Sequence, residues 1–248
     1  MLNFVPAEMS CRDLETVQIK NYLEGSYKQS VKGSLYISGM PGTGKTALVL
    51  RCVNQFKRKH NDFKFIQINA MNLSKPVVLY KMLYEQIMAK GKSVRGEDAS
   101  GRLESYFRNH PLIKSGEHVF LLLDELDAIV NKKQDVLYNL FNWPTYDDSG
   151  FHVIAIANTM DLPEQFQPKI ASRIGKLRVV FEPYSKEQMM KILESRVARL
   201  ELFEKDALRF LATRVAQQSG DFRRVLHTAR QALEMSRIQY REKVELMK

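Results

Sequence analysis

A glycine-rich segment at residues 39–46 fits the pattern Gly-x-x-x-x-Gly-Lys-Thr of a phosphate-binding loop, with an apolar run before it and a helical pattern after it. Glycines let the backbone curl so that successive N–H groups point at phosphate oxygens, and the N-terminus of the next helix adds partial positive charge. We expect Lys45 to reach the β- and γ-phosphates of a nucleotide and Thr46 to place its hydroxyl on Mg²⁺. The residues predicted to bind the phosphates are Pro41, Gly42, Thr43, Gly44, Lys45 and Thr46. A simple Gly-rich turn is the alternative, and the flanking strand and helix disfavour it.

Two adjacent carboxylates, Asp124 and Glu125, follow an apolar run. Carboxylates are costly to place at the end of a buried strand unless they bind a cation or contact another polar group. Asp124 is predicted to hold Mg²⁺ through water, and Glu125 is predicted to be the base that orients the attacking water. Asp127 is ambiguous, and we favour a surface position or a helix start for it.

Asn158 stands at the tip of another apolar run. From there its amide could hold the attacking water or a γ-phosphate oxygen. An asparagine at a strand end is usually a turn residue. The two motifs before it favour a functional role instead.

Five short apolar runs recur at the spacing of an α/β protein. They are Ser34–Ser38, Phe63–Ile68, His118–Leu123, Phe151–Ala157 and Leu177–Phe181. The third and fourth are apolar almost throughout, which favours central parallel strands covered on both faces. Helical patterns separate the runs, notably at Lys45–Lys59, Val77–Met88 and Gln134–Trp143. The prediction is an α/β fold with a five-stranded parallel sheet sandwiched by helices.

The strand pattern ends after Pro183, and three amphipathic helical patterns follow it. They cover Lys186–Leu200, Lys205–Gln217 and Asp221–Tyr240, and Ser185 with Gln188 forms a capping box for the first. We therefore predict two domains, a nucleotide-binding core at residues 1–183 and a small all-α lid at residues 184–248. The polar stretch Ala89–Ser100 is predicted to be a mobile loop.

The composition is that of an ordinary globular protein with an excess of positive charge. Of the 248 residues 44% are apolar and 27% are charged. No window approaches the ~18 consecutive apolar residues of a membrane span, and residues 1–10 lack the pattern of a secretory signal. Cys11 and Cys52 have no pairing framework, and no histidine stands at metal-ligand spacing from them, so neither a disulfide nor a zinc site is expected.

The net charge of the chain is +10. The segment from Lys186 onwards holds 14 Lys and Arg against 9 Asp and Glu. This excess of positive charge suits either contact with a polyanion such as DNA or a solvated basic surface.

Several stretches carry a family resemblance. The order of phosphate loop, Asp-Glu strand end, Asn strand tip and lid arginine resembles the AAA+ ATPases. Four further stretches resemble, more narrowly, the family formed by the largest subunit of the eukaryotic origin recognition complex: Asp135–Thr145, Ile156–Glu164, Ser172–Gly175 and Phe181–Tyr184. The resemblance covers nearly the whole chain. The Cdc6-type helicase loader shares the fold and several of these motifs.

The resemblance implies roles for two arginines. Gly220–Arg223 matches the lid motif of the family, so Arg223 would reach the γ-phosphate bound by its own chain. An ordinary arginine on a basic helix is the alternative. Arg173 matches the arginine-finger position, which would act on nucleotide held by a neighbouring subunit. There a guanidinium can raise the rate of phosphoryl transfer by ~10³–10⁵.

The resemblance also implies a frame for the adenine and a contact with DNA. The adenine would be framed by Val5, Pro6 and Arg12 and closed from the lid side by Tyr184 and Ile192. A helical insertion at Asn69–Met88 would touch DNA. Its mixed basic and aromatic residues, Lys75, Tyr80, Lys81 and Tyr84, suit backbone contact and stacking but could equally belong to the core.

The function that the resemblance implies is that of an ATP-dependent, DNA-binding initiator subunit. Its cofactors would be ATP and Mg²⁺, and its location would be nuclear. Its partners would be double-stranded DNA, other AAA+ origin-complex subunits and the helicase loader, in a hetero-oligomeric ring with no membrane contact. Hydrolysis would be slow or silent in the isolated chain, because a neighbouring subunit completes the site. The family also carries a C-terminal winged-helix domain, which we expect to be absent from this chain.

Three other functions stay open at this point. The chain could be a Cdc6-type loader, or a freestanding AAA+ remodelling ATPase with fast turnover in self-assembled rings. It could also be an interaction module that keeps the motif without using nucleotide. The presence of Lys45, Thr46, Asp124 and Glu125 together disfavours this last function.

Overall fold

The computed structural model describes residues 9–28, 31–88, 95–109, 112, 116–130, 134–174, 177–197, 204–218 and 221–246. These residues form two units. The first contains residues 14–39 and 45–181, and the second contains residues 9–13, 40–44 and 182–246. The short segment 40–44 therefore belongs to the second unit, although the sequence on either side of it belongs to the first.

In the part of the chain that the structure describes, five parallel strands build the sheet of the first unit. They are β1 (Ser34–Gly39), β2 (Phe63–Asn69), β3 (His118–Asp124), β4 (Phe151–Ile156) and β5 (Leu177–Phe181). Their order is β2-β3-β4-β1-β5, which places β3, β4 and β1 side by side. Every residue of these three strands is buried, as expected for strands covered on both faces. The predicted five-stranded parallel α/β fold is confirmed.

Six α-helices accompany this sheet within the described residues. They are α1 (Asp13–Tyr27), α2 (Lys45–Lys57), α3 (Val78–Met88), α4 (Gly96–Asn109), α5 (Asp135–Asn142) and α6 (Pro168–Ile174). Helix α2 buries one face through residues spaced three or four apart, among them Leu48, Cys52 and Phe56. This packing fixes the helix that carries the phosphate loop at its N-terminus.

The prediction of a mobile loop at residues 89–100 is wrong for its last part. Residues 96–100 form the start of α4. Ala99, Leu103 and Phe107 follow one another at four-residue spacing, and all three are fully buried. Burial of this face outweighs the weak helix propensity of the glycines in the segment. Residues 89–94 lie outside the described residues.

In the second unit, three helices are found among the described residues. They are α7 (Lys186–Val197), α8 (Lys205–Gln218) and α9 (Phe222–Leu246), and they enclose an apolar core that includes Met189, Leu193, Leu211 and Val225. The predicted capping box is present, since Ser185 N donates to Gln188 Oε1 at 3.0 Å and Gln188 N donates to Ser185 Oγ at 3.2 Å. The predicted all-α lid is confirmed. None of the described helices combines the length and apolarity needed to cross a bilayer.

Two histidines meet near the amino ends of β3 and β4. His118 Nδ1 and His152 Nε2 are 3.2 Å apart, so one ring donates a proton and the other accepts it. Both side chains are buried, and the His152 ring stacks on Phe120 with 4.6 Å between centroids. Burial, followed by the proximity of His118, lowers the pKa of His152 to about 3. His152 is therefore neutral in the folded chain at neutral pH.

The free energy of unfolding is expected to fall as the pH drops below about 6.5, because unfolded His152 then binds a proton that the folded residue does not accept until about pH 3. One such group lowers the unfolding free energy by up to about 1.4 kcal/mol per pH unit in this window. Urea denaturation at several pH values between about 7.5 and 5 measures this slope. In His152→Gln, whose amide can still bond to His118 but does not titrate, the slope should be shallower. An equal slope in the two proteins would show that His152 is not its source.

Candidate nucleotide-binding site

The candidate site lies at the carboxyl ends of three adjacent strands. β1 leads into the glycine-rich loop at Gly39, β3 ends at Asp124, and Asn158 follows β4. Neighbouring parallel strands end at the same edge of a sheet, so the observed order brings these polar ends together. The structure thus collects five of the predicted site residues in the first unit: Lys45, Thr46, Asp124, Glu125 and Asn158.

Lys45 is the first residue of α2, and its side chain is only 5% exposed. Its Nζ donates to the carbonyl oxygen of Gly39 at 2.5 Å and to Asn158 Oδ1 at 3.0 Å. A buried ammonium needs such acceptors, because an unpaired charge out of water is costly. The result is a cation fixed at the edge of the sheet, where it can bind a phosphate.

Asn158 connects Lys45 with Glu125. Its Oδ1 accepts from Lys45 Nζ, while its Nδ2 donates to Glu125 Oε2. The two contacts fix the orientation of the amide, since its oxygen must face the cation and its nitrogen the carboxylate. Glu125 has a left-handed backbone with φ +57°, which is uncommon for a residue other than glycine and is found mainly at tight turns and functional sites.

Thr46 and Asp124 supply two hard oxygen ligands. Thr46 Oγ1 donates to Asp124 Oδ2 at 2.9 Å, and the backbone N–H of Glu125 donates to Asp124 Oδ1 at 3.0 Å. Hydroxyl and carboxylate oxygens side by side fit Mg²⁺, which prefers oxygen ligands and keeps several of its waters. The binding of Mg²⁺ by these two residues stays a prediction that suits the donor set.

Asp127 makes contacts that the sequence does not reveal. The sequence favours a surface position or a helix start for it, and it lies in the 3-10 turn Leu126–Ile129. Its Oδ2 accepts from Asn158 N at 2.8 Å, and its Oδ1 accepts from Thr159 N at 3.3 Å and from Thr159 Oγ1 at 2.6 Å. Its place two residues after Glu125 puts it near the site, but no local pattern indicates a contact with the end of β4.

The other predicted phosphate-loop residues, Pro41, Gly42, Thr43 and Gly44, belong to the second unit. Pro41 is exposed, whereas Thr43 is buried and its hydroxyl donates to the carbonyl oxygen of Met40 at 2.8 Å. This bond closes the loop on itself.

Gly42 packs against the first turn of the lid helix α9. It has φ +78°, and a Cβ at this position would lie 1.6 Å from Asp221 Oδ1. Asp221 also caps α9, because its Oδ1 accepts from Arg223 N at 2.8 Å. The Arg223 guanidinium contacts the same carboxylate, with Nε 3.4 Å from Oδ1. The positive φ and the approach of the Asp221 carboxylate both favour glycine at position 42.

The predicted adenine residues that the structure describes lie in the second unit. The Arg12 guanidinium stands 4.1 Å from the centroid of the Tyr184 ring, and Ile192 packs with Tyr184 in the lid core. Arg12 and Tyr184 are both buried. Val5 and Pro6 lie outside the described residues, and the framing of an adenine by this set stays a prediction.

Arg173 lies near the end of α6. Its Nε donates to Asn142 Oδ1 at 2.9 Å, its Nη1 donates to the carbonyl oxygen of Lys169, and its guanidinium stands 4.9 Å from the centroid of the Tyr138 ring. These contacts are made with α5 and α6, whereas Lys45 and Glu125 contact the strand ends. The structure therefore does not bring Arg173 into the cluster of Lys45, and its finger role stays a prediction.

The predicted DNA-contacting insertion contains α3 and a 3-10 turn at Ala70–Asn72. Tyr80 belongs to the buried core, and its hydroxyl accepts from Asn139 Nδ2 at 2.9 Å. Lys81 lies 3.9 Å from Glu85 on the helix surface. Tyr80 is therefore a core residue.

A phosphate loop between a strand and a helix, with an aspartate and an asparagine at the ends of the neighbouring strands, defines a P-loop ATPase. The chain belongs to the AAA family, since residues 35–182 match the ATPase family associated with various cellular activities (AAA). Residues 184–240 match the Cdc6/ORC-like ATPase lid domain.

Curated relatives give a more particular likeness. The chain is 40% identical over 241 residues to origin recognition complex subunit 1 of Drosophila melanogaster, a match that covers 95% of this chain and 26% of that protein. It is 39% identical over 239 residues to the same subunit of Homo sapiens, covering 93% of this chain and 27% of that protein. A solved structure of Drosophila ORC bound to DNA matches with a TM-score of 0.85 and 36% identity, over 96% of this chain and 59% of that chain. The predicted resemblance is confirmed, and the chain spans about a quarter of the length of these curated relatives.

Gly39→Ala is expected to destabilise the first unit by about 1–3 kcal/mol. Gly39 has φ +147°, and a Cβ there would lie 2.4 Å from the carbonyl oxygen of Phe181 on β5, a backbone atom that cannot turn away. Gly33→Ala is the matched control, because Gly33 also has a positive φ of +108° but a Cβ there meets nothing within 4 Å. Chemical denaturation of both variants measures the difference. Equal losses would mean that backbone conformation alone, and not the contact with β5, sets the cost.

Proposed function

We propose that this chain is the ATP-binding AAA+ subunit of an origin recognition complex that binds origin DNA in an ATP-dependent way and helps to load the replicative helicase. The observation that supports the proposal is the contact of Lys45, Asn158 and Glu125 beside the Thr46–Asp124 pair. This cluster combines a cation for phosphates, oxygen ligands for Mg²⁺ and a base for water, which ATP hydrolysis requires. Likeness to subunit 1 across nearly the whole chain supports the cellular role.

In this proposal residues 1–183 are the nucleotide-binding core and residues 184–248 are the lid. The core supplies the phosphate loop and the catalytic carboxylate. The lid supplies Arg223, whose guanidinium would exchange its contact with Asp221 for the γ-phosphate.

Hydrolysis would proceed by attack of a water in line with the γ-phosphate. Glu125 accepts a proton from the water as its oxygen bonds to the γ-phosphorus, and the bond from that phosphorus to the β–γ bridging oxygen breaks, leaving ADP and phosphate. Lys45 binds the β- and γ-phosphates, and Asn158 orients the water or a γ-oxygen. Mg²⁺ held by Thr46 and Asp124 would neutralise charge on the phosphate oxygens.

One feature supports slow turnover in the isolated chain. Arg173 would serve the nucleotide of a neighbour, so this chain's own site needs the arginine of another subunit. ATP would then act mainly as a switch, because hydrolysis removes the γ-phosphate contacts that stabilise one state of the assembly.

The proposed partners are double-stranded DNA, other AAA+ subunits of the complex and the helicase loader, joined in a hetero-oligomeric ring in the nucleus. The match to a structure of Drosophila ORC bound to DNA supports the DNA and subunit partners. The net charge of +10 supports a polyanionic partner.

A Cdc6-type helicase loader is the second candidate. The lid match is to a family described as Cdc6/ORC-like, so this part of the chain suits both. Co-purification in the presence of ATP distinguishes them: a stable set of AAA+ subunits supports the first function, and recruitment only to a preformed complex supports the second.

Lys45→Ala should lower the affinity for ATP by about 100-fold or more, because it removes a buried charge from the phosphates. Titration calorimetry with ATP and Mg²⁺ measures the affinity. Glu125→Gln is the matched control, since it removes the base and should abolish turnover while ATP still binds. An unchanged affinity for ATP in Lys45→Ala would contradict the assignment of Lys45 to the phosphate-binding site.

Arg173→Ala should leave ATP binding by its own chain unchanged and lower the ATPase rate of the assembled complex by about 10³-fold or more. The rate is measured on complexes co-purified with the variant subunit. Lys169→Ala is the control, because Lys169 lies over the same Tyr138 ring at 4.7 Å and is one turn away on α6. An unchanged rate with Arg173→Ala would contradict the finger role.

A further inference from the structure

The segment that follows β4 is tied to β1. Ala157 N donates to the carbonyl oxygen of Ile37 at 2.9 Å, which continues the β1–β4 ladder past the end of the strand. The hydroxyl of Tyr36 donates to the carbonyl oxygen of Thr159 at 3.2 Å. Burial raises the pKa of Tyr36, and the negative charge of Asp127 raises it further, so this hydroxyl keeps its proton.

The same segment is tied to the turn after β3 through Asp127. Both carboxylate oxygens take part: Oδ2 accepts from the backbone N–H of Asn158, and Oδ1 accepts from the N–H and hydroxyl of Thr159. Hydrogen bonds to an ionised carboxylate are about twice as strong as neutral ones. The backbone at Asn158 is therefore fixed, and with it the point from which the side chain reaches Lys45 and Glu125.

The turn that carries Asp127 also carries the catalytic carboxylate. Glu125 precedes the 3-10 turn, and Ala128 N donates to its carbonyl oxygen at 3.0 Å. Asn158 Nδ2 in turn donates to Glu125 Oε2. Asp127 and Glu125 thus hold the backbone and the side chain of the same asparagine from one short turn.

We propose that Asp127 is a positioning residue for Asn158: by binding the backbone at residues 158 and 159, it sets where the amide stands relative to Glu125 and the γ-phosphate. The inference rests on the proposed function, in which Asn158 contacts the γ-phosphate. ADP lacks this phosphate, so a displaced Asn158 weakens the binding of ATP more than that of ADP.

The test compares the affinities of the chain for ATP and ADP, each with Mg²⁺, by titration calorimetry. Asn158→Ala should lower the preference for ATP over ADP by about tenfold, the value of a hydrogen bond to a charged group. Asp127→Ala should lower it by at least about threefold, with the affinity for ADP nearly unchanged. In the double variant the preference should equal that of Asn158→Ala alone, because Asp127 acts through a side chain that is no longer present.

Two further variants make the test specific. Asp161→Ala removes the same charge from an exposed residue that also follows β4, and it should leave the preference unchanged. Thr159→Val removes one of the bonds to Asp127 and no charge, and it should lower the preference by less than Asp127→Ala. If Asp127→Ala does not fold, Thr159→Val takes its place, and the double variant Thr159→Val with Asn158→Ala is compared with Asn158→Ala alone.

The outcomes separate the inference from the proposed function. If Asn158→Ala leaves the preference unchanged, the role of Asn158 at the γ-phosphate fails, and the inference fails with it. If Asn158→Ala lowers the preference and Asp127→Ala does not, the inference alone is overturned. Losses that add in the double variant would also overturn it, because Asp127 would then act independently of Asn158.

Discussion

The contact between a buried lysine and two oxygens at the ends of different strands is the interaction on which the rest of the site depends. Lys45 has little access to water, so its ammonium must find acceptors inside the protein, and it finds them at Gly39 and Asn158. This requirement explains why β1 ends in a loop that curls back and why an amide stands at the tip of β4. The same lysine is the first residue of α2, so the helix begins where a phosphate would be bound.

The order of the strands adds a third polar group to this local contact. β4 lies between β3 and β1, so Asn158 can reach the lysine that follows β1 on one side and the glutamate that follows β3 on the other. An outer strand could contact only one of them. All residues of β4 are buried, as expected for a central strand covered on both faces.

The sequence predicts those parts of the molecule that a short contiguous pattern encodes. The phosphate loop, the apolar strands and the Ser185–Gln188 cap are of this kind, and the strands and the cap are present in the structure as predicted. The contacts of Asp127 are not predictable in this way, because they join two turns more than 30 residues apart. Helix α1 is not predictable either, because the exposed Leu14 and Val17 interrupt the pattern of its apolar face. The proposed finger role of Arg173 depends on the surface of another chain, which no pattern in this one describes.

The histidine pair and the Asp127 contacts lie at opposite ends of the β3–β4 ladder. Because side chains alternate between the two faces of a sheet, a shift of β4 by one residue would turn His152 away from His118. The same shift would carry the N–H of Asn158 away from Asp127. The two polar contacts therefore form only in the native register of β3 and β4, and a misaligned chain would lose both. Uniform apolar side chains could not favour one register in this way.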